Sequence, residues 1–416
     1  MNFTRGLILG FLVIYLSLVG YLRSACWKDP TSTFFRPEQA HASTYSAYRI
    51  EQAIQEADFA SALAENRAHR SKEGQLELCI GIPSVRRKDV SYLKLALGSL
   101  QHGLSREERS RLHFVVLLAH LNQTDHPDYN QPWLTSMADK VASYDDDEER
   151  TRLAQIMASK PHAVKSKFDY SIVMEECGKT NAPYILMIED DVVFLDGWRH
   201  RTMEALDIAT TKSWLLGKAD FLYLRLFYYE GLLGWNSESW PTYLGSSIAI
   251  TSITFICLLL VQRYVTRIHL SNSVVVLTTL VFTPLLIILF FAAGRNCVLP
   301  QPTGVHLMDK YACCGQGLVF PRSTVTQEIL PLFRSNISST EPTDSYIEKH
   351  ADRTGALRWA LTPVVMQHVG GQSSHTGRRG NTYGPTRLWN FGFEGNDASR
   401  LAVEHAESID RTSNNE

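Results

Sequence analysis

The chain lacks a charge excess of either sign: 41 Lys and Arg against 43 Asp and Glu leave a formal net charge of −2. That gives no electrostatic basis for a nucleic-acid partner, which needs a basic surface. The basic clusters present, Arg86-Arg87-Lys88 and Arg378-Arg379, are short and read first as solvated surface. Internal repeats are absent, which excludes stacked-repeat architectures. A small residue is missing where a signal peptidase would cut after the first apolar run, Gly6–Leu22. The run is preceded by Arg5 and exits through Arg23-Ser24-Ala25-Cys26, so it is expected to stay as an uncleaved signal anchor. It is short for a spanning helix, which suits a thin early-secretory bilayer.

Charge is also missing from two later runs, Tyr243–Val261 and Ser273–Ala293. Two such runs in tandem exceed what a domain of this size hides as buried helices, so they read as a membrane hairpin. The loop between them, 262–272, carries Arg263 and Arg267, and short cytosolic loops collect positive charge. Pro284 inside the second run is tolerable where neighbouring groups cover the freed backbone. The expected layout is a cytosolic tail at 1–5, an anchor at 6–22 and a lumenal helical stem at 23–75. A lumenal half at 76–242, the hairpin at 243–293, a second lumenal half at 294–394 and a disordered polar tail at 395–416 complete it. The sequons Asn122-Gln123-Thr124 and Asn336-Ile337-Ser338 fall in the expected lumenal parts. So do Cys26, Cys79, Cys177, Cys297, Cys313 and Cys314, while Cys257 falls in a membrane run. An oxidising compartment permits disulfides whose pairing the sequence leaves open, and a bridge between Cys297 and the Cys313-Cys314 pair would tie the hairpin to the domain.

Outside the membrane runs, 44% hydrophobic and 20% charged residues suit a globular domain. Strands are expected at Leu76–Pro83, His113–Ala119, Tyr184–Ile188, Phe221–Phe227, Gly317–Pro321 and Ala360–Val369. Helices are expected at Val90–Gln101, Lys165–Cys177, Gly197–Ala209, Thr324–Phe333 and Asp344–Arg353, with one or two more in the stem, and Gly370–Gly384 reads as a loop. Strands alternating with helices imply an α/β fold built on a mostly parallel, doubly wound sheet.

Ligands of such sheets bind beyond the carboxyl ends of the strands. Glu189-Asp190-Asp191 occupies that position after the apolar strand Tyr184–Ile188. Three acids between apolar segments are costly unless a cation or hydrogen-bond donors neutralise them. Hard oxygen ligands suit magnesium or manganese, which can bridge a diphosphate. The bland alternative is a surface loop entering a helix at Asp196-Gly197-Trp198. Asp145–Glu149 reads as a solvated acidic loop. His368, at a strand end before a glycine loop, is either structural or a ligand, and Asp344 either caps its helix or serves chemistry.

An apolar strand, an acidic triplet and Val-Val-Phe-Leu-Asp-Gly-Trp together resemble the metal and nucleotide-sugar motif of GT-A glycosyltransferases. The Glu-Asp-Asp form is similar to two families. One is the N-acetylglucosaminyltransferase IV family of N-glycan branching enzymes, and the other is the post-GPI-attachment N-acetylgalactosamine transferase family. Ile80-Gly81-Ile82-Pro83-Ser84-Val85-Arg86-Arg87 resembles the first strand and nucleotide-side loop of both, and Gln367–Ser374 resembles their His-x-Gly…Ser-Ser segment. Pro342-Thr343-Asp344 resembles the start of the helix carrying the acceptor-side carboxylate. The likeness spans about Leu76 to Gly377, less the hairpin. A transmembrane hairpin splitting the domain matches the GPI-modifying family and not the branching enzymes, which have one anchor.

The resemblance implies a Golgi enzyme with a lumenal catalytic domain. It would move N-acetylgalactosamine from UDP-GalNAc to a mannose of a GPI anchor, in one inverting displacement dependent on manganese or magnesium. Asp191 and His368 would bind the metal, and Glu189 and Asp190 the ribose side. Pro83, Arg86 and Arg87 would line the donor site, and Asp344 would act as the base. The residues leave two rivals open: a branching transferase using UDP-N-acetylglucosamine, and a membrane scaffold with a degenerate transferase domain.

Overall fold

The structure is a computed structural model. It describes residues 3–63, 75–87, 90–144, 147–159, 162–265, 270–308, 314–335, 339–372 and 379–413. Lys88, Asp145, Asp146, Arg267, Cys313, the Asn336–Ser338 sequon, Ser373, Ser374 and Arg378 lie outside these. The chain divides into two compact units, one of Met1–His41 with Glu230–Gln301 and one of Ala42–Tyr229 with Pro302–Glu416.

The second unit carries the sheet. Its strands are β1 (Leu78–Ser84), β2 (Leu112–Leu118), β3 (Lys140–Ala142), β4 (Tyr184–Ile188), β5 (Val192–Phe194), β6 (Tyr223–Arg225), β7 (Gly304–Leu307), β8 (Gly317–Pro321), β9 (Arg358–Thr362), β10 (Met366–His368), β11 (Gly370–Gln372) and β12 (Arg379–Tyr383). Eight form one sheet in the order β3-β2-β1-β4-β8-β6-β9-β7. The β3-β2, β2-β1, β1-β4 and β6-β9 pairs are parallel; β4-β8, β8-β6 and β9-β7 are antiparallel. The sheet is therefore mixed but mostly parallel. Near-continuous burial of β1, β2 and β4 is what strands covered on both faces require. The helix His162–Gly178 packs on β1, and a disulfide joins Cys79 of that strand to Cys177.

The helix Tyr45–Leu63 is integral to this unit. It lies so close to the helix Leu93–Gln101 that a β-carbon on Gly98 would stand 2.8 Å from the Ala53 α-carbon. Its Arg49 is fully buried and donates to the carbonyls of Phe194 (2.7 Å) and Ser99 (2.8 Å). Such a cation is affordable inside only because backbone oxygens replace its water.

Several expectations need correction. The acidic stretch Asp145–Glu149 is not a loop throughout, since the helix Asp147–Ser159 begins within it. The last strand is not continuous over Ala360–Val369. Pro363 cannot donate to a ladder, and the segment divides into β9 in the main sheet and β10 against β5. The loop over Gly370–Gly384 contains a small antiparallel pair, β11 with β12. The tail expected to be disordered forms the helix Ala398–Ser413, with Leu401 and His405 buried. Its polar composition hides an amphipathic face.

The segment from Glu230 to Gln301 leaves the sheet unit after β6 and returns before β7, both of which flank β9. Tyr228 and His306, on either side of that departure, each place a polar atom 2.9 Å from the Thr362 hydroxyl.

Among its described residues the other unit holds three helices long and apolar enough to cross a membrane, Thr4–Ala25, Glu230–Tyr264 and Asn272–Ala292. Phe11 stacks on Phe282 at 3.8 Å. Near Pro284, the Thr283 hydroxyl donates to the Thr278 carbonyl (2.9 Å), covering a backbone group in the turn that precedes the proline. Cys297 bonds to Cys26 and not to the Cys313-Cys314 pair. The Asp29 carboxylate beside it accepts from the backbone N–H groups of Cys297 and Thr31 (2.8 Å each). That bridge fastens the exit of the first helix to the return of the third.

Candidate active site

β1 and β4 are parallel neighbours, with Gly81 opposite Met187, so their carboxyl ends open side by side. The chain leaving β4 is Glu189-Asp190-Asp191, and the chain leaving β1 is Ser84-Val85-Arg86-Arg87. The Ser84 hydroxyl donates to Asp190 Oδ2 at 2.5 Å. The Arg87 guanidinium forks between Asp190 Oδ1 (2.8 Å) and Asp191 Oδ2 (3.0 Å), and its Cζ lies 4.8 Å from the centroid of the Tyr92 ring. This two-carboxylate fork uses the planar geometry that distinguishes Arg from Lys.

β10 approaches from the other side. Its antiparallel register against β5 pairs His368 with Val192, and the Val369 N–H donates to the Asp191 carbonyl at 2.9 Å. His368 Nε2 thereby stands 3.3 Å from Asp191 Oδ2. Its Nδ1 lies 2.9 Å from the Thr386 hydroxyl, a contact that fixes the orientation of the ring. β8 supplies the third wall: Gly317 is opposite Ile188, and Gln316 donates its side-chain amide to Glu189 Oε2 at 3.2 Å.

The electrostatics follow from burial. Burial, reinforced by the Asp191 and Asp190 charges, pushes the Glu189 carboxyl up to about 7. Burial also raises Asp190, against the pull of Arg87. For Asp191 burial works the same way but loses to His368 and Arg87, which hold the carboxyl well below its usual range. His368 in turn is raised, because Asp191 outweighs the burial that disfavours its charge.

One ligand atom each from Glu189, Asp191 and His368 lie within 4.8 Å of one another. Asp191 Oδ1 and Gln316 Oε1 are buried with no hydrogen-bond partner among the described residues. Orphaned oxygens beside excess carboxylates fit an oxygen-preferring divalent cation, with a single imidazole completing the set. The donor set therefore suits magnesium or manganese.

Asp344 lies in the first turn of the helix Thr343–Thr354 and accepts from the Ser345 N–H at 2.7 Å. A β-carbon on Gly315 would stand 3.6 Å from the Asp344 β-carbon and 3.9 Å from the Tyr170 hydroxyl. Burial and the neighbouring charges of Glu189 and Asp344 push the Tyr170 hydroxyl well above its ordinary value. Asp344 and the triplet thus share one electrostatic environment.

Of the residues singled out from sequence, Glu189, Asp190, Asp191, Arg87 and His368 come together. Arg86 does not join them; its side chain is exposed, and its backbone N–H donates to His120 Nε2 at 2.8 Å. Pro83 stays inside β1 beside Leu117. Ser84, Gln316, Thr386, Tyr170 and the pair His120 and His126 escaped notice. Only Ser84 had a signal, since it closes the strand motif; the others are scattered polar residues whose convergence depends on the sheet order.

A comparison with curated proteins returned no match. A family model does match, from the first residue of β1 to the residue before His368, across the acidic triplet and Asp344. On that match, over residues 78–367, the chain belongs to the GPI-N-acetylgalactosamine transferase PGAP4 family.

Proposed function

We propose that this protein transfers N-acetylgalactosamine from UDP-GalNAc to a mannose of GPI anchors in the Golgi lumen, by a metal-dependent inverting displacement. Asp191 and His368 would hold manganese or magnesium, with Glu189 within reach of the same point. The ion, when bound, supplies Lewis-acid neutralisation of the charge that develops on the UDP leaving group. Asp190, fixed by Ser84 and Arg87, is assigned with Glu189 to the ribose side of the donor. Asp344 would take the proton of the acceptor hydroxyl as it attacks the anomeric carbon, and no covalent intermediate is required.

The observation that carries this reading is the orphaned, buried Asp191 Oδ1 beside Glu189 and His368 in a chain of this family. The three apolar helices add to it. A catalytic unit tethered to a bilayer meets a lipid-linked acceptor at raised effective concentration. The test is mass spectrometry of GPI glycans from cells with and without the protein. Loss of an N-acetylhexosamine branch on mannose is expected, restored by the wild type and not by Asp191→Ala. Unchanged glycans would overturn the assignment.

A further inference from the structure

Asp190 is tied on one side by Arg87. On the other side a buried chain leads away from it through Ser84 to His126, which sits in the segment between β2 and the helix Pro132–Met137. His126 and Ser84 are 3% and 1% exposed, so water cannot substitute for either partner. His126 Nε2 is 3.1 Å from the Ser84 oxygen, and that oxygen is 2.5 Å from Asp190 Oδ2.

The direction of every bond in this chain follows from one backbone group. The Asp128 N–H donates to His126 Nδ1 at 3.2 Å, so Nδ1 must present its lone pair. The ring proton then sits on Nε2 and points at Ser84. Ser84 accepts it, which leaves the hydroxyl proton for Asp190. The opposite tautomer would set two N–H groups against each other at Nδ1 and turn the serine proton away from a buried carboxylate. Burial, aided by His120 and Arg87, holds the imidazole down at about 4, which keeps the ring neutral. The Asp128 carboxylate stands 3.7 Å from Nδ1 and bonds instead to the Ser91 hydroxyl, so it does not recruit a second ring proton.

We propose that His126 is a positioning residue of the donor site: through Ser84 it delivers a hydrogen bond of fixed direction to Asp190 and sets the rotamer of that carboxylate. His120, the neighbour of His126, packs at 5.7 Å and holds the Arg86 N–H, so the same segment also steadies the loop that aims Arg87.

The inference rests on the proposed donor chemistry, and its test separates the two. Full-length protein in detergent is assayed for UDP-GalNAc turnover with manganese as wild type, His126→Leu, His126→Gln, Ser84→Ala and the Ser84→Ala/His126→Leu double variant. His126→Leu and Ser84→Ala should each raise the donor KM about tenfold, the size expected for a lost hydrogen bond to a charged group. The acceptor KM should stay unchanged. The double variant should be no worse than the poorer single one, because both cut the same chain. His126→Gln, which keeps an N–H near the Nε2 position, should recover most of the loss. A donor KM unaffected by His126→Leu, or fully additive effects, would overturn the proposal. Nitrogen-15 imidazole shifts decide it without any turnover: Nδ1 must be of the acceptor type and Nε2 protonated, and the reverse assignment rejects the relay. A wild type that turns over no UDP-sugar would instead overturn the donor chemistry.

Discussion

Gly370 and Asp191 approach so closely that a β-carbon on the glycine would fall 2.7 Å from the Asp191 β- and γ-carbons, and closer still to Oδ2. Glycine is required here for space, since any side chain would drive the carboxylate off the point it shares with His368. Gly370→Ala should therefore weaken manganese binding about 10- to 100-fold, the usual penalty for disturbing the support of a metal ligand. The same clash should lower the melting temperature by about a few degrees. Isothermal titration with manganese checks it; affinity equal to wild type would refute the steric argument.

His368 must give up its proton to bind a cation, and Asp191 raises its proton affinity above the ordinary 6.5. Acidification through that raised range should weaken manganese binding by about tenfold per pH unit. Titrations between pH 6 and 8 read the slope directly. In His368→Ala the affinity should be low and much of the slope gone. A flat wild-type profile would remove His368 from the ligand set.

The role proposed for Asp344 lies on the acceptor side. Asp344→Asn should reduce transfer to GPI-anchored acceptors by roughly 10²- to 10⁴-fold, the range for removing a general base. Manganese affinity and donor KM should remain within about twofold, since no described hydrogen bond joins Asp344 to the triplet. Parallel measurement of transfer and donor binding distinguishes this from general damage. Normal transfer by the variant would eliminate it as the base.

The C-terminal helix docks through His405, whose Nδ1 is 2.7 Å from Asp196 and whose Nε2 is 3.3 Å from Glu108. Burial opposes the imidazolium, but hydrogen bonds to these two carboxylates win and raise His405 to about 9 from an ordinary 6.5. A raised folded-state value means the stabilisation is complete below pH 6.5 and is lost as pH rises through about 9. Thermal melts should thus decline between those values, by on the order of 2 kcal/mol of stability. His405→Ala should be less stable near neutrality and should lack most of the alkaline decline. An identical decline in the variant would assign the effect to another group.

Much of the site was legible because it is local. A strand of five apolar residues followed by three acids announces itself, as do an apolar strand stopped by proline with Arg87 soon after, and a histidine before two glycines. The main strands were legible for the same reason: complete burial leaves an unbroken apolar run, and β4 and β8 have the bounds their composition implied. The breaks were less visible. Pro363 divides one apolar run between two ladders, a matter of which strand each half can reach. The helix Ala398–Ser413 was hidden because its burial rests on Leu401 and on the charged contacts of His405, which an average polarity conceals.

By itself the sequence determined the spans able to cross a membrane, the α/β class and the presence of a buried acidic triplet, since each depends on the order of apolar and charged residues along a short stretch. Only the tertiary structure decided which charges and hydrogen-bond donors surround that triplet. Arg87 arrives from the end of β1, His368 from β10, Gln316 from the entry to β8 and His126 from beyond β2; these meet because of sheet order and register, which no local pattern encodes. The same holds for Cys26 with Cys297. Pairing is fixed by where the folded chain brings two sulfurs together, and spacing along the sequence carries no trace of it.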